Sequence, residues 1–203
     1  MAADAALQYF LDRAAIIEAI QNWGFFRDDG KWDALRELYA ANGIMSTTWS
    51  RGTADEFVAA IRARPKHGPY RSQHSIGVST VSIKGNRAIA ETRMTLLLRG
   101  KFRGIEVDIT NWGRTYDRFV RQGERWRIQE RVPIYEKDRM DPVEAGRRLP
   151  LTDADLAGFP HGYRHLACLQ TEGGATINFD LPVPGSPLLA RLYEEGGEWL
   201  ASG

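Results

Sequence analysis

The feature that most constrains the fold is a run of four β-like segments between residues 72 and 137. In the first segment, Ile76 and Thr80 belong to an alternating pattern typical of a strand with two different faces. The segments are separated by short glycine-containing turns at 84–86, 100–104 and 122–124. Strands joined by such turns run antiparallel, whereas parallel strands need a long crossover. The sequence therefore predicts an antiparallel meander, with its last three strands at 88–99, 105–120 and 126–135.

Three helices and one short strand are predicted ahead of the meander. Phe10, Ala14 and Ile17 recur at spacings of three and four, which favours an amphipathic helix. Thr53 is a favourable N-cap for the third helix, and Glu56 fits a capping box if the cap is displaced by one residue. The predicted helices cover residues 5–23, 32–40 and 54–64, and the predicted strand covers 44–49. A further turn of the first helix, carrying Phe25 and Phe26, remains open.

The chain after the meander has a different composition. Six of the nine prolines lie in residues 138–203, so long regular elements are not expected there. The same stretch carries large apolar residues, including Tyr163 and Trp199, which would form a wide apolar patch in water unless the stretch docked. We expect one domain over residues 1–140 and a proline-rich extension over 141–203. The extension is expected to pack on this domain or on a neighbouring subunit of a homodimer or homotrimer.

Composition argues against several classes of function. Lys and Arg total 27 and Asp and Glu total 26, so the net charge of +1 offers no basic surface for nucleic acid or an anionic membrane. No apolar run approaches the roughly 20 residues that span a bilayer, and the start lacks a secretory signal pattern. A single cysteine, Cys168, excludes an internal disulfide. These features predict a cytoplasmic protein without nucleic-acid or membrane partners.

Motifs for cofactors and metals are missing from the sequence. No GxGxxG or P-loop opens a helix, and there is no GxSxG nucleophile elbow. His161 and His165 are spaced by four residues, but no glutamate completes a zinc motif around them. We therefore expect neither a cofactor nor a bound metal.

Four segments carry a family likeness: DRAAIIEAI (12–20), DDGKWDALRELYA (28–40), the Gln73-His74 step and GRTYDRFVRQGERWRIQER (113–131). In this order they resemble the SnoaL-like group of the nuclear-transport-factor-2-like superfamily. That group contains scytalone dehydratase, hexachlorocyclohexane dehydrochlorinase and bile-acid 7α-dehydratase. The resemblance covers about residues 10–137. It implies an α+β fold in which a cone-shaped, curved antiparallel sheet and three N-terminal helices enclose a cavity.

The resemblance also implies a catalytic pair. In the dehydratase-like members an aspartate at the position of Asp28 pairs with a histidine at the position of His74. A neutral imidazole can accept a proton near pH 7, and a carboxylate beside it fixes the tautomer and stabilises the imidazolium. From the residue types alone, a turn aspartate and a strand histidine without catalytic roles would be the commoner explanation. A shift of one residue would give the carboxylate role to Asp29.

Further site residues follow from the same resemblance. An arginine at the position of Arg131 faces the cavity in the dehydrochlorinase-like members and stabilises developing negative charge, a task suited to a guanidinium. Strand alternation places Arg131 on one face of the strand and Trp126 and Ile128 on the other face. Either the apolar face packs elsewhere or a bulge resets the register. Four residues are expected to contact substrate: Trp23, Trp49, Asn111 and Tyr135.

The predicted function is a cofactor-independent lyase in aromatic compound catabolism. His74, oriented by Asp28, would act on a small hydrophobic aromatic or polycyclic alcohol, with loss of water or of a fragment such as formaldehyde. Arg131 would stabilise the negative charge that develops. Two alternatives remain open at this point: a non-catalytic ligand-binding or assembly module, and a ketosteroid-type isomerase, which usually relies on a carboxylate base.

Overall fold

The computed structural model describes residues 2–63 and 70–203. The helices are α1 (Ala2–Asp28), α2 (Trp32–Glu37), α3 (Ala54–Arg62), α4 (Asp153–Leu156), α5 (Arg164–Glu172) and α6 (Pro187–Ala201). The strands are β1 (Tyr39–Thr47), β2 (Ser50–Thr53), β3 (Arg71–Lys84), β4 (Arg87–Phe102), β5 (Ile105–Gln122) and β6 (Arg125–Pro142).

These strands form one mixed sheet in the order β2-β1-β6-β5-β4-β3. The β3–β6 meander is antiparallel throughout, as the turn spacing predicts, and the α+β class is confirmed. β1 joins the meander by pairing parallel to β6, and β2 folds back on β1 as a hairpin that the sequence interpretation missed. The strand predicted at 44–49 corresponds to β1, which begins earlier, at Tyr39. The helix predicted at 32–40 is α2, which ends earlier, at Glu37.

α1 is longer than the prediction of 5–23 and continues through Gly24 to Asp28. A Cβ atom at Gly24 would lie 2.9 Å from the Ile76 side chain, so this glycine permits a close approach of the helix to β3 and does not terminate it. α3 begins as predicted at the Thr53 cap, and Glu56 completes the capping box with no displacement. It ends at Arg62 with Ala63 as its C-cap, and residue 64, the last of the predicted span, lies outside the described residues.

Two apolar cores lie against the sheet. The N-terminal core joins α1–α3 to the sheet and includes Ile16, Ile20, Leu35, Phe57, Phe119 and Ile128. The C-terminal core joins the segment after β6 to the sheet and includes Leu98, Phe102, Ile109, Tyr163, Leu166 and Leu169. The extension therefore docks on its own chain in this structure.

The extension is more regular than its proline content suggests. The expectation that it lacks long elements is wrong for α6, which runs for 15 residues. Its proline, Pro187, occupies the first helical turn, where the missing N–H has no intrahelical partner to lose. Ser186 caps the helix by accepting a hydrogen bond from the Leu189 backbone N–H at 3.2 Å. Proline at this position begins the helix.

Candidate active site

The end of α1 and the start of β3 bring Asp28 and His74 together. Asp28 Oδ1 lies 2.6 Å from His74 Nδ1, and its Oδ2 accepts the His74 backbone N–H at 2.7 Å. The predicted proximity of these two residues is confirmed. Asp29, the alternative, lies 3.2 Å from Lys31 Nζ instead. Because Nδ1 donates to the carboxylate, the lone pair of His74 is on Nε2, where it can accept a proton.

The surroundings of His74 favour the neutral imidazole. Its side chain is only 10% exposed, and it packs against the Trp23 ring in a T-shaped arrangement with ring centroids 5.2 Å apart. Burial lowers the pKa of His74 below its usual 6.5, and the opposing effect of Asp28 is too small to reverse this. At pH 7 the ring is therefore an unprotonated base held in one orientation.

A β-bulge turns Arg131 into the interior. Cross-strand pairing places Arg118 opposite Glu130 but Phe119 opposite Ile128, so Gln129 is the extra residue on β6. The inserted residue shifts the alternation, and Arg131 joins Ile128 on the core face. Of the two explanations that strand parity left open, the structure has the bulge.

Arg131 lies in a buried ion pair. Its Nε and Nη2 donate to the two carboxylate oxygens of Asp117 at 2.6 and 2.9 Å, and Thr115 Oγ1 donates to the same carboxylate at 3.1 Å. Burial acts to lower the pKa of Arg131, but Asp117 more than offsets it and the pKa is raised. The guanidinium also lies 4.4 Å from the Trp23 ring centroid. Nη1 is buried and has no hydrogen-bond partner among the described residues.

His74, Asp28 and Arg131 all line a cavity of about 950 Å³ between the two cores. Most of its other lining side chains are apolar or carry a neutral hydroxyl, among them Trp32, Met45, Ser46, Met94, Leu96 and Thr115. A volume of this size is within the upper part of the range of small-molecule sites. The arrangement places an imidazole base and a guanidinium charge at the wall of one space.

Three of the four predicted substrate contacts line this cavity. Trp23 donates from Nε1 to the Tyr39 hydroxyl at 2.8 Å, which fixes its ring between His74 and Arg131. Trp49 stacks on Phe57 with centroids 5.8 Å apart. Tyr135 is buried, and burial raises the pKa of its hydroxyl.

Asn111 is placed differently. It is 1% exposed, lies outside the cavity lining, and its Nδ2 donates to the Gly162 carbonyl oxygen at 3.1 Å. Its amide joins the sheet to the extension. A buried strand amide needs a partner, and the sequence does not indicate whether that partner is substrate or backbone.

The sequence interpretation missed Asp117, Thr48 and Gln170. A symmetric hairpin around the turn at 122–124 pairs Asp117 with Glu130, and only the bulge moves it opposite Arg131. Gln170 reaches the cavity from α5, and its Oε1 accepts a hydrogen bond from Thr48 Oγ1 at 2.6 Å. No sequence spacing relates residues so far apart in the chain.

Residues 2–63 and 70–203 contain neither a membrane-spanning helix nor a cluster of metal-ligating side chains. None of the helices there is both long and apolar enough to cross a membrane. Within the same ranges, no three His, Cys, Asp or Glu side chains converge as metal ligands would. His67 lies outside these ranges, and His165 of the spaced histidine pair contacts Asp138 instead.

Two curated relatives from Fusarium vanettenii match most of this chain. A protein named "PEP2-like" is 29% identical over 200 residues, covering 94% of this chain and 86% of its own. "Pea pathogenicity protein 2" is 30% identical over 176 residues, covering 85% of this chain and 75% of its own. The similarity therefore extends through both cores.

Solved structures from Novosphingobium aromaticivorans share the fold. One, described as an NTF2-like protein with a cystatin-like fold, has a TM-score of 0.53 at 24% identity and covers 64% of this chain and 85% of its own. Another, named "Putative Scytalone Dehydratase", has a TM-score of 0.53 at 13% identity and covers 71% and 97%. The family description "SnoaL-like domain" matches residues 8–132, which contain Asp28, His74 and Arg131. With this match over more than half its length, the chain belongs to the SnoaL-like family.

Proposed function

We propose that this protein is a cofactor-independent lyase that acts on a hydrophobic, ring-containing alcohol. The observation that carries the proposal is the Asp28–His74 pair at the wall of a largely apolar cavity. A ligand-binding module has no need of a neutral imidazole that a carboxylate orients as a base at the wall of its cavity. The SnoaL-like fold includes dehydratases, which is consistent with this activity.

In the proposed elimination of water, His74 Nε2 removes a proton from carbon and the bond from the neighbouring carbon to the hydroxyl oxygen breaks. The imidazolium then returns the proton to the leaving oxygen, so water departs and the base is restored. Asp28 stabilises the imidazolium during this exchange. The positive charge of Arg131, which lines the same cavity, stabilises the oxygen on which negative charge develops.

Loss of formaldehyde uses the same groups. His74 removes the hydroxyl proton of a hydroxymethyl group, and the carbon–carbon bond breaks as the carbonyl of formaldehyde forms. The imidazolium then protonates the carbon left behind. Because Arg131 is neutralised by Asp117, it suits a neutral oxygen that becomes negative during reaction better than a permanent anion.

The test is a mass-spectrometric screen of aromatic and polycyclic alcohols and diols for loss of water or formaldehyde. Activity in the wild type and a loss of about 10²–10⁴ in rate in His74→Ala is the expected result. The matched control is His165→Ala, because His165 also contacts an aspartate, at 2.7 Å, but lies outside the cavity lining. Saturable binding of these alcohols without turnover would favour the ligand-binding alternative.

A further inference from the structure

Gln170 is a buried polar residue on an otherwise apolar part of α5. It is 7% exposed, follows the buried residues Leu166 to Leu169, and lines the cavity. It also lies beyond residues 8–132, the part of the chain that matches the SnoaL-like domain. A polar side chain kept in such a position needs hydrogen-bond partners on both its oxygen and its nitrogen.

The oxygen of Gln170 already has its partner. Thr48 Oγ1 donates to Oε1 at 2.6 Å, and Thr48 is itself hydrogen-bonded to Tyr135. The end of α5 is held as well, because the Tyr70 hydroxyl donates to the Leu169 carbonyl oxygen at 3.1 Å. With Oε1 engaged, the group that Gln170 can offer to a ligand is its amide N–H.

This donor lies some distance from Arg131. Thr48 is in the turn between β1 and β2 and is bonded to Tyr135, which follows Arg131 by four residues on β6. At about 3.3 Å per residue in a strand, Tyr135 lies about 13 Å further along β6 than Arg131. The cavity therefore has separate polar positions at Arg131 and at Gln170, with apolar side chains such as Leu96 and Leu98 also in its wall.

We propose that Gln170 determines specificity by donating a hydrogen bond to an uncharged oxygen at the end of the substrate away from Arg131. The substrate class is an elongated, mainly apolar molecule with an oxygen function at both ends, the distal one an ether, hydroxyl or carbonyl. Thr48, Gln170 and Tyr135 bear no charge at neutral pH. Of the other arginines in the lining, Arg62 and Arg71 are solvent-exposed and Arg27 lies over the Trp32 ring, so a neutral acceptor is favoured over a carboxylate at Gln170. This inference rests on the proposed function, because it adds a substrate contact to the same cavity.

The test compares two ligands of equal shape by isothermal titration calorimetry. The probes are 6-methoxy-2-naphthol and 6-ethyl-2-naphthol, in which a methylene group replaces the distal ether oxygen. The wild type is expected to bind the methoxy compound about two- to tenfold more tightly, the worth of one net hydrogen bond. Gln170→Met, which keeps an unbranched side chain but has no donor, is expected to lose this preference.

Two further variants make the result specific. Gln170→Glu keeps an oxygen that accepts from Thr48 but, when ionised, has no N–H, so it is expected to lose the preference for the methoxy compound. This variant provides the test if Gln170→Met does not fold. Gln21→Met, the same change at an exposed helix position, is expected to keep it. No preference in the wild type, or one that persists in the folded Gln170 variants, would overturn the inference. Failure of His74-dependent elimination alongside a Gln170-dependent preference would instead overturn the proposed function alone.

Discussion

Two aspartate–histidine pairs of nearly the same geometry lie in different regions of the molecule. Asp28 contacts His74 Nδ1 at 2.6 Å and a backbone N–H at 2.7 Å, and Asp138 contacts His165 Nδ1 at 2.7 Å and a backbone N–H at 2.8 Å. The first pair lines the cavity beside the N-terminal core. The second pair lies outside the cavity lining, at the start of α5.

The comparison shows that the geometry of a pair does not by itself define a site. Asp138 accepts the Leu166 N–H in the first turn of α5, where a carboxylate stabilises a helix N-terminus. Its contact with His165 joins the extension to β6. At Asp28 the same contacts hold an imidazole against an open space that a substrate can enter. The cavity is what distinguishes the two pairs.

The largest expected effect comes from exchanging each aspartate for asparagine. Asp28→Asn is expected to lower the rate by about 10²–10⁴, because the amide no longer stabilises the imidazolium and can hold the wrong tautomer. Asp138→Asn is expected to leave the rate unchanged. Steady-state kinetics of both variants on a substrate from the alcohol screen is the measurement. Equal losses in the two variants would contradict the distinction between the pairs.

A second effect concerns the ion pair beneath the site. Asp117→Asn leaves Arg131 buried without its counter-charge, and we expect a loss of about 3–5 kcal/mol in the free energy of unfolding. The double variant Asp117→Leu with Arg131→Met is expected to recover most of this loss, because no buried charge remains. Urea unfolding of the two variants measures the difference. A single variant as stable as the wild type would show that the pair is not desolvated.

Substitution of Asn111 tests whether this residue contacts substrate or only links the sheet to the C-terminal core. Asn111→Leu removes the donor to Gly162 and leaves a buried carbonyl oxygen unsatisfied, so we expect a loss of about 1–3 kcal/mol in stability. The turnover number and KM of the folded variant are expected to match the wild type. A selective increase in KM with unchanged stability would restore Asn111 as a substrate contact.

The smallest effect is a shift in pH dependence. Since His74 must be neutral to accept a proton, and its pKa is lowered from 6.5, activity is expected to fall only below pH 6.5. Asp28 acts to raise this pKa, so the residual activity of Asp28→Asn should persist to lower pH than that of the wild type. Stability should also decrease as pH falls below about 6.5, because the unfolded chain binds the histidine proton first. An activity midpoint above pH 6.5 would contradict the burial argument.

The local sequence determined most of the sheet and the helices before it. Glycine turns and alternation define β3 to β6, and the Thr53–Glu56 pair defines the start of α3, because these signals act within a few residues. The family resemblance predicted that Asp28 and His74 are partners. Neither residue type would indicate the other across 46 positions of chain.

Only the tertiary structure decided the rest of the site. The bulge at Gln129 places Arg131 inside and opposite Asp117. The alternation of residue types showed a conflict at Arg131 but did not decide between a bulge and a different packing of the apolar face. The docking of α5 brings Gln170 to Thr48 and leaves Asn111 against the backbone, through contacts over 122 and 51 residues of chain. Such contacts depend on how two cores pack against one sheet. Sequence periodicity reports which face of an element is buried, but it carries no information about what lies against that face.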